Sequence, residues 1–108
     1  MGYERTVSIR HDHPSLAGHF PGHPVVPGVV LLDEVLSIVR EASGAARPVT
    51  GLPLVKFSSP LSPGEAVTIR VDLDGATEAA FSCKVETRLV ASGTIELAPV
   101  HAASMERM

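Results

Sequence analysis

The sequence predicts an α+β fold in which a run of antiparallel strands curves around one long helix. Three observations lead there. The segment from Pro27 to about Ser43 contains no helix breaker and is rich in aliphatic residues. The segments after it alternate apolar and polar residues with the period of two that marks a strand. The chain has 108 residues, 44% of them apolar, which suffices for one domain and leaves no room for a second.

Taken in order, Tyr3 to Ile9 reads as a first strand, with β-branched Thr6, Val7 and Ile9. A loop rich in Gly, Pro and His runs from Arg10 to Val26. Pro27 suits the first helical position, where its missing N–H costs nothing, and Gly44 suits the stop. Around the helix, Asp33, Glu34, Ser37, Arg40 and Glu41 fall within an arc of roughly 120°. The rest of its surface is Val, Leu, Ile and Ala, so the helix is expected to be largely enclosed by other structure. Leu54 to Phe57 is a short strand, closed by the proline-punctuated turn Ser58–Glu65. Ala66 to Leu73 sets Val67, Ile69, Val71 and Leu73 on one face, and Asp74-Gly75 turns the chain. Glu78 to Glu86 alternates again, and a tight turn near Thr87-Arg88 leads to the last strand, Leu89 to Leu97. Residues 1–98 thus form the domain, and residues 99–108 have no pattern and are expected to fray.

Composition narrows the function classes. With 9 basic and 12 acidic residues and no basic stripe, the chain has no electrostatic basis for binding nucleic acid. Its longest near-apolar stretch, Pro24 to Leu32, is far short of the roughly 20 residues that span a bilayer. The one cysteine, Cys83, cannot form an internal disulfide, and the first residues carry no apolar signal core. A soluble, cytoplasmic protein is expected. The core must be aliphatic, because there are four aromatic residues and no Trp.

The Gly and Pro residues are dense, nine of each, and the stretch from Gly18 to Asp33 concentrates them around two histidines. Gly28 falls in the first turn of the helix, where backbone N–H groups lack internal partners and the helix dipole is positive. A glycine there lets a ligand oxygen approach the amide, so Gly28 is a candidate oxyanion donor. His19, held by the rigid loop, and a carboxylate of the helix, Asp33 or its neighbour Glu34, are a candidate base and acid. Each also has a structural explanation: a hydrogen-bonded loop histidine, a solvated helix carboxylate, a packing glycine. His11 and His13 stand two apart, but no Cys or Glu completes a zinc spacing. His19 and His23 stand four apart, but Pro21 and Pro24 forbid the helix that such a metal pair requires. No metal is expected. Cys83 alternates with Phe81 and Val85 and reads as a core residue.

The segment Gly18-His19-Phe20-Pro21-Gly22-His23-Pro24-Val25-Val26-Pro27-Gly28-Val29-Val30 resembles the signature G-H-F-P-G-x-P-x-x-P-G-V-L of the β-hydroxyacyl-acyl-carrier-protein dehydratases, which have the hotdog fold. In that family an acidic residue follows fourteen positions after the His, which selects Asp33 over Glu34. Lys56-Phe57-Ser58-Ser59-Pro60-Leu61-Ser62-Pro63-Gly64-Glu65 matches a second family segment, K-F-x-x-P-x-x-P-G-D/E. The resemblance covers roughly residues 3–97 and implies a hydro-lyase without cofactor. It would convert a (3R)-hydroxyacyl thioester, carried by acyl carrier protein or coenzyme A, to a trans-2-enoyl thioester. His19 would remove the C2 proton, Asp33 would protonate the departing hydroxyl and the Gly28 N–H would take the charge on the carbonyl. The family's sites are shared between the subunits of a homodimer. Three features depart from its pattern: Ser37 replaces a glutamine, the last hairpin lacks its usual glycine and the chain is short. Two rivals stand beside this reading: a hotdog acyl thioesterase, against which His19 within H-F-P-G argues, and a catalytically silent hotdog protein that binds acyl carriers, for which Ser37 is the one hint. A role in fatty-acid or related lipid and polyene synthesis is the expected setting.

Overall fold

The computed structural model describes residues 2–10, 25–43, 48–74 and 77–98. Within them the order is β1 (Gly2–Val7), α1 (Gly28–Ser43), β2 (Val49–Phe57), β3 (Val67–Asp74), β4 (Glu78–Val85) and β5 (Arg88–Leu97). The strands form one five-stranded antiparallel sheet in the order β1-β3-β4-β5-β2, and α1 packs against it, mainly on β3 and β1. Most of the expected loop from Arg10 to Val26, with His11, His13, His19 and His23, lies outside the described residues, as do Gly44, Gly75 and the tail 99–108.

Alternation decides which face is inside. Val67, Ile69 and Val71 of β3 are fully buried, and their partners on β4 include Cys83 and Phe81, also buried. The register carries this face outward to β1, where Tyr3, Arg5 and Val7 pair with Val71, Ile69 and Val67. Arg5 therefore stands on the helix side of the sheet, and its guanidinium meets the carboxylate of Glu41 on α1. On β5, Gly93 lies between Phe81 of β4 and Val55 of β2. A methyl group at Gly93 would overlap the carbonyl oxygen of Leu54 and come within 2.8 Å of the Phe81 ring, so the large ring requires a residue without a side chain beside it.

Three boundaries differ from expectation, each for a physical reason. β1 ends at Val7, yet Ile9 stays buried, and its carbonyl accepts the N–H of Gly64 at 2.8 Å. β2 begins at Val49, not Leu54. Gly51 and Pro53 break its apolar run, and the strand absorbs them through register shifts on either side of Gly51, as an edge strand can. The last hairpin turns at Glu86 and Thr87, with Glu86 in the left-handed region at φ 56°.

The helix also departs from expectation. Leu31, Val35, Ile38 and Val39 are buried, the spacing of one apolar stripe facing the sheet. Val30, Leu32 and Leu36 are only partly covered, and Val29 is 71% exposed. Among the described residues, one face of α1 is enclosed and the rest of its wide apolar surface is only partly covered. No helix among the described residues is long and apolar enough to cross a membrane.

Candidate active site

The N-terminus of α1 forms one side of a cleft of about 610 Å³. The approach to the helix is tied down by the N–H of Val26, which donates to the carbonyl of Leu61 at 2.8 Å. Gly28 is the first helical residue, so its amide belongs to the turn that has no intrahelical acceptor. Phe57, the last residue of β2, brings its ring onto this turn: a Cβ on Gly28 would lie 2.7 Å from the ring's Cζ. Val25, Val26, Val29, Leu31, Leu61 and Val90 give the cleft its apolar lining.

The opposite wall, Ser58 to Leu61, is held from several directions. The β4–β5 ladder shifts register between Cys83 and Lys84, and Val90 lies in the resulting irregularity, buried beside Ala91. The carbonyl of Val90 accepts the N–H of Ser58 at 2.8 Å. The Ser59 hydroxyl donates to the carbonyl of Leu89 at 3.0 Å and accepts from Arg88 Nη1 at 3.1 Å. Arg88 Nη1 also donates to the carbonyl of Pro60 at 2.6 Å, and its Nη2 meets Glu65 Oε2 at 2.7 Å. The other oxygen of Glu65 accepts the N–H of Ser62 at 2.9 Å, closing a turn with Pro63 second and Gly64 third at φ 87°, as a type II turn requires. The Ser62 N–H first, and then Arg88, hold the Glu65 carboxyl below its ordinary pKa.

Of the residues singled out from the sequence, Gly28 lines the cleft and Asp33 does not. Five residues further along α1, Asp33 is turned roughly 140° from Gly28 about the helix axis. It is exposed and shares a smaller concavity of about 260 Å³ with Val29, Val30 and Glu34. A single chain therefore keeps this carboxylate out of the Gly28 cleft, and exposed Val29 is the residue common to both concavities. His19 lies outside the described residues. Cys83 is fully buried in the core, where desolvation pushes its thiol up to about 12. Among the described residues, no three metal-ligating side chains stand together.

Sequence reasoning left Phe57, Val90 and Arg88 without roles. The second motif, Lys56 to Glu65, spans the whole cleft wall and could have pointed to Phe57. Arg88 carries no local signal, because its partners lie 23 to 29 residues away in sequence.

Comparison with known proteins adds three likenesses to a family match. Residues 3–94 match the family model of ApeI-like proteins, described as ApeI dehydratase. A 3-hydroxyacyl-[acyl-carrier-protein] dehydratase FabZ of Syntrophobacter fumaroxidans is 29% identical over 119 residues, covering 96% of this chain and 80% of its own. Among solved structures, the dehydratase heterocomplex ApeI:P from Xenorhabdus doucetiae aligns with a TM-score of 0.81 at 22% identity, over 90% of this chain and 87% of that one. The fluoroacetyl-CoA thioesterase FlK aligns with a TM-score of 0.70 at 16% identity, over 99% of this chain and 90% of that one. At these identities the two structures carry the fold alone.

Proposed function

Because the chain belongs to the ApeI-like dehydratase family and has the hotdog fold, we propose that it removes water from a (3R)-hydroxyacyl thioester to give a trans-2-enoyl thioester. The acyl group would arrive on acyl carrier protein, as the name of the FabZ relative indicates for that enzyme, or on coenzyme A. The setting would be fatty-acid or related lipid synthesis in the cytoplasm, where a buried free thiol such as Cys83 stays reduced.

The observation that carries the reading is the position of Gly28: the first amide of α1, on the wall of an apolar cleft, within a chain matched by a dehydratase model. In the proposed reaction the thioester carbonyl lies against the Gly28 N–H, at the positive end of the helix dipole. His19 takes a proton from C2, the C3–O bond breaks and Asp33 gives a proton to the departing hydroxyl, directly or through water. The products are the enoyl thioester and water, and proton exchange with solvent resets both side chains.

Asp33 and Gly28 face different concavities of one chain, so a complete site calls for a second one. We propose a homodimer in which Asp33 of each copy reaches the Gly28 cleft of the other. The exposed apolar side chains support it: Val29 on the helix, and Leu52 and Leu54 on β2, an edge strand of the sheet.

The test follows a 3-hydroxyacyl thioester for loss of water. His19→Ala is expected to lower the rate by about 10²–10⁴-fold, the usual contribution of a general base, with the circular dichroism spectrum unchanged. Full activity in that variant would overturn the assignment. Rapid release of free thiol from a saturated acyl thioester would instead favour the thioesterase reading.

A further inference from the structure

We propose that Phe57 sets which acyl chains the cleft accepts. The inference takes the nature of the ligand, an acyl thioester, from the dehydratase reading, and everything else from geometry. The backbone of Phe57 is fixed: it pairs with Ala91 of β5, and the next N–H, that of Ser58, is bonded to Val90 at 2.8 Å. By register it shares a face with Ala91, Cys83 and Ile69, all buried, so its ring projects toward the helix side of the sheet. There it meets α1 at the helix's one glycine, with ring carbons 2.7, 2.8 and 3.2 Å from where a Gly28 Cβ would stand.

The ring closes against the first helical turn, yet 55% of the residue remains exposed. A large apolar side chain held half in water at the lip of an apolar cleft is the informative exception to burial. Among the described residues lining the cleft, Phe57 is the one aromatic; the others are aliphatic, small or hydroxyl-bearing. A thioester whose carbonyl reaches the Gly28 amide must lay its chain beside this ring. The ring therefore caps the space open to the chain: straight chains up to a limiting length fit, and longer or branched ones collide with it.

The experiment uses unreactive pantetheine thioethers bearing straight alkyl chains of increasing length. They are titrated by calorimetry into the wild type, Phe57→Leu and Phe57→Ala. In the wild type the affinity is expected to stop rising beyond a limiting length. In Phe57→Ala it should keep rising by roughly fourfold for each further methylene admitted, with Phe57→Leu between the two. An identical limit in all three proteins would overturn the proposal. So would a uniform loss of affinity at every length, which would make the ring a structural support only, or no binding by the wild type. A failure of the dehydratase reading looks different: the wild type binds the thioethers with a length limit but does not dehydrate 3-hydroxyacyl thioesters.

Discussion

The two sides of the α1 N-terminus are built in opposite ways. Toward the sheet, the cleft wall from Ser58 to Leu61 is anchored by β5 carbonyls, by the Arg88 guanidinium and by the Val26 amide, through bonds of 2.6 to 3.4 Å. Away from the sheet, Val29 stands 71% exposed, Asp33 is exposed, and Leu32 and Leu36 are half covered. The first side is complete within one chain and needs nothing further to hold its shape. The second carries partly covered apolar residues and an exposed carboxylate. If a second copy covers that side, as proposed, the site is divided between two chains.

The sharpest way to break this comparison is to divide the site by mutation. His19→Ala and Asp33→Ala are each expected to be inactive alone, with losses of about 10²-fold or more. If each site draws His19 from one copy and Asp33 from the other, random mixing of the two variants after unfolding and refolding yields mixed dimers with one intact site each. About a quarter of wild-type activity should return, as the symmetry of a two-site dimer requires. Mixtures that stay inactive would place both residues in one chain.

The cleft wall can be attacked through its framework. Gly93→Ala forces a methyl group against the Leu54 carbonyl oxygen and the Phe81 ring, both fixed by the ladder. Overpacking against backbone should cost about 2–3 kcal/mol, read as a lower midpoint in urea with an unchanged slope. Because β2 and β5 part at this point, the loss should reach Phe57 and the cleft, raising KM in the molecules that remain folded. A neutral Gly93→Ala would mean that the edge strand is free to move, and that the wall is less rigid than its bonds imply.

Arg88→Ala tests the same wall with a smaller effect. It removes the donors to Ser59, Pro60 and Glu65 while leaving the Val90 bonds in place. Charged hydrogen bonds at a partly exposed site suggest a loss of about 1–2 kcal/mol, with KM raised more than kcat is lowered. The pH dependence gives a second readout. The folded Glu65 carboxyl titrates below its ordinary 4.5, so its contribution to stability is complete above that pH and is lost as pH falls through the depressed value. Without Arg88 the Ser62 N–H still lowers the pKa, so the acid-side loss of stability should shrink but not vanish. An unchanged acid profile would show that Arg88 contributes nothing to that shift.

Residues differ in how openly the sequence displays them, and the reason is the range of the forces involved. Val67, Ile69, Val71, Phe81 and Cys83 were legible because a strand's alternation is local, and the structure buries all five. Gly28 was legible as the head of a helix, and it lines the cleft. Asp33 was legible as a helical carboxylate, but not its separation from the Gly28 cleft, because the concavities beside a helix are set by strands far away in sequence. The first half of β2 was hidden behind Gly51 and Pro53, whose local preferences oppose a strand and yield only to pairing with β5. Arg88 was hidden for the same reason in stronger form. Nothing near it in sequence signals that it will grip a turn more than twenty residues upstream.

The smallest effect concerns the turn that feeds Arg88 into this wall. The last hairpin carries no glycine at its turn, and the structure puts Glu86 there at φ 56°, with Thr87 completing the turn. An L-residue in the left-handed region pays about 1–2 kcal/mol that glycine does not, partly offset by the larger entropy glycine loses on folding. Glu86→Gly should therefore stabilise the chain by about 0.5 kcal/mol, a small upward shift in thermal midpoint. The substitution leaves Arg88 and its acceptors untouched, so KM should not change. If KM falls along with the gain in stability, the hairpin's strain is transmitted to the cleft, and the wall is tuned by its turn as well as by its bonds. If stability rises alone, the Arg88 grip isolates the cleft from the hairpin, and the finished side of the site is rigid in the sense its geometry suggests.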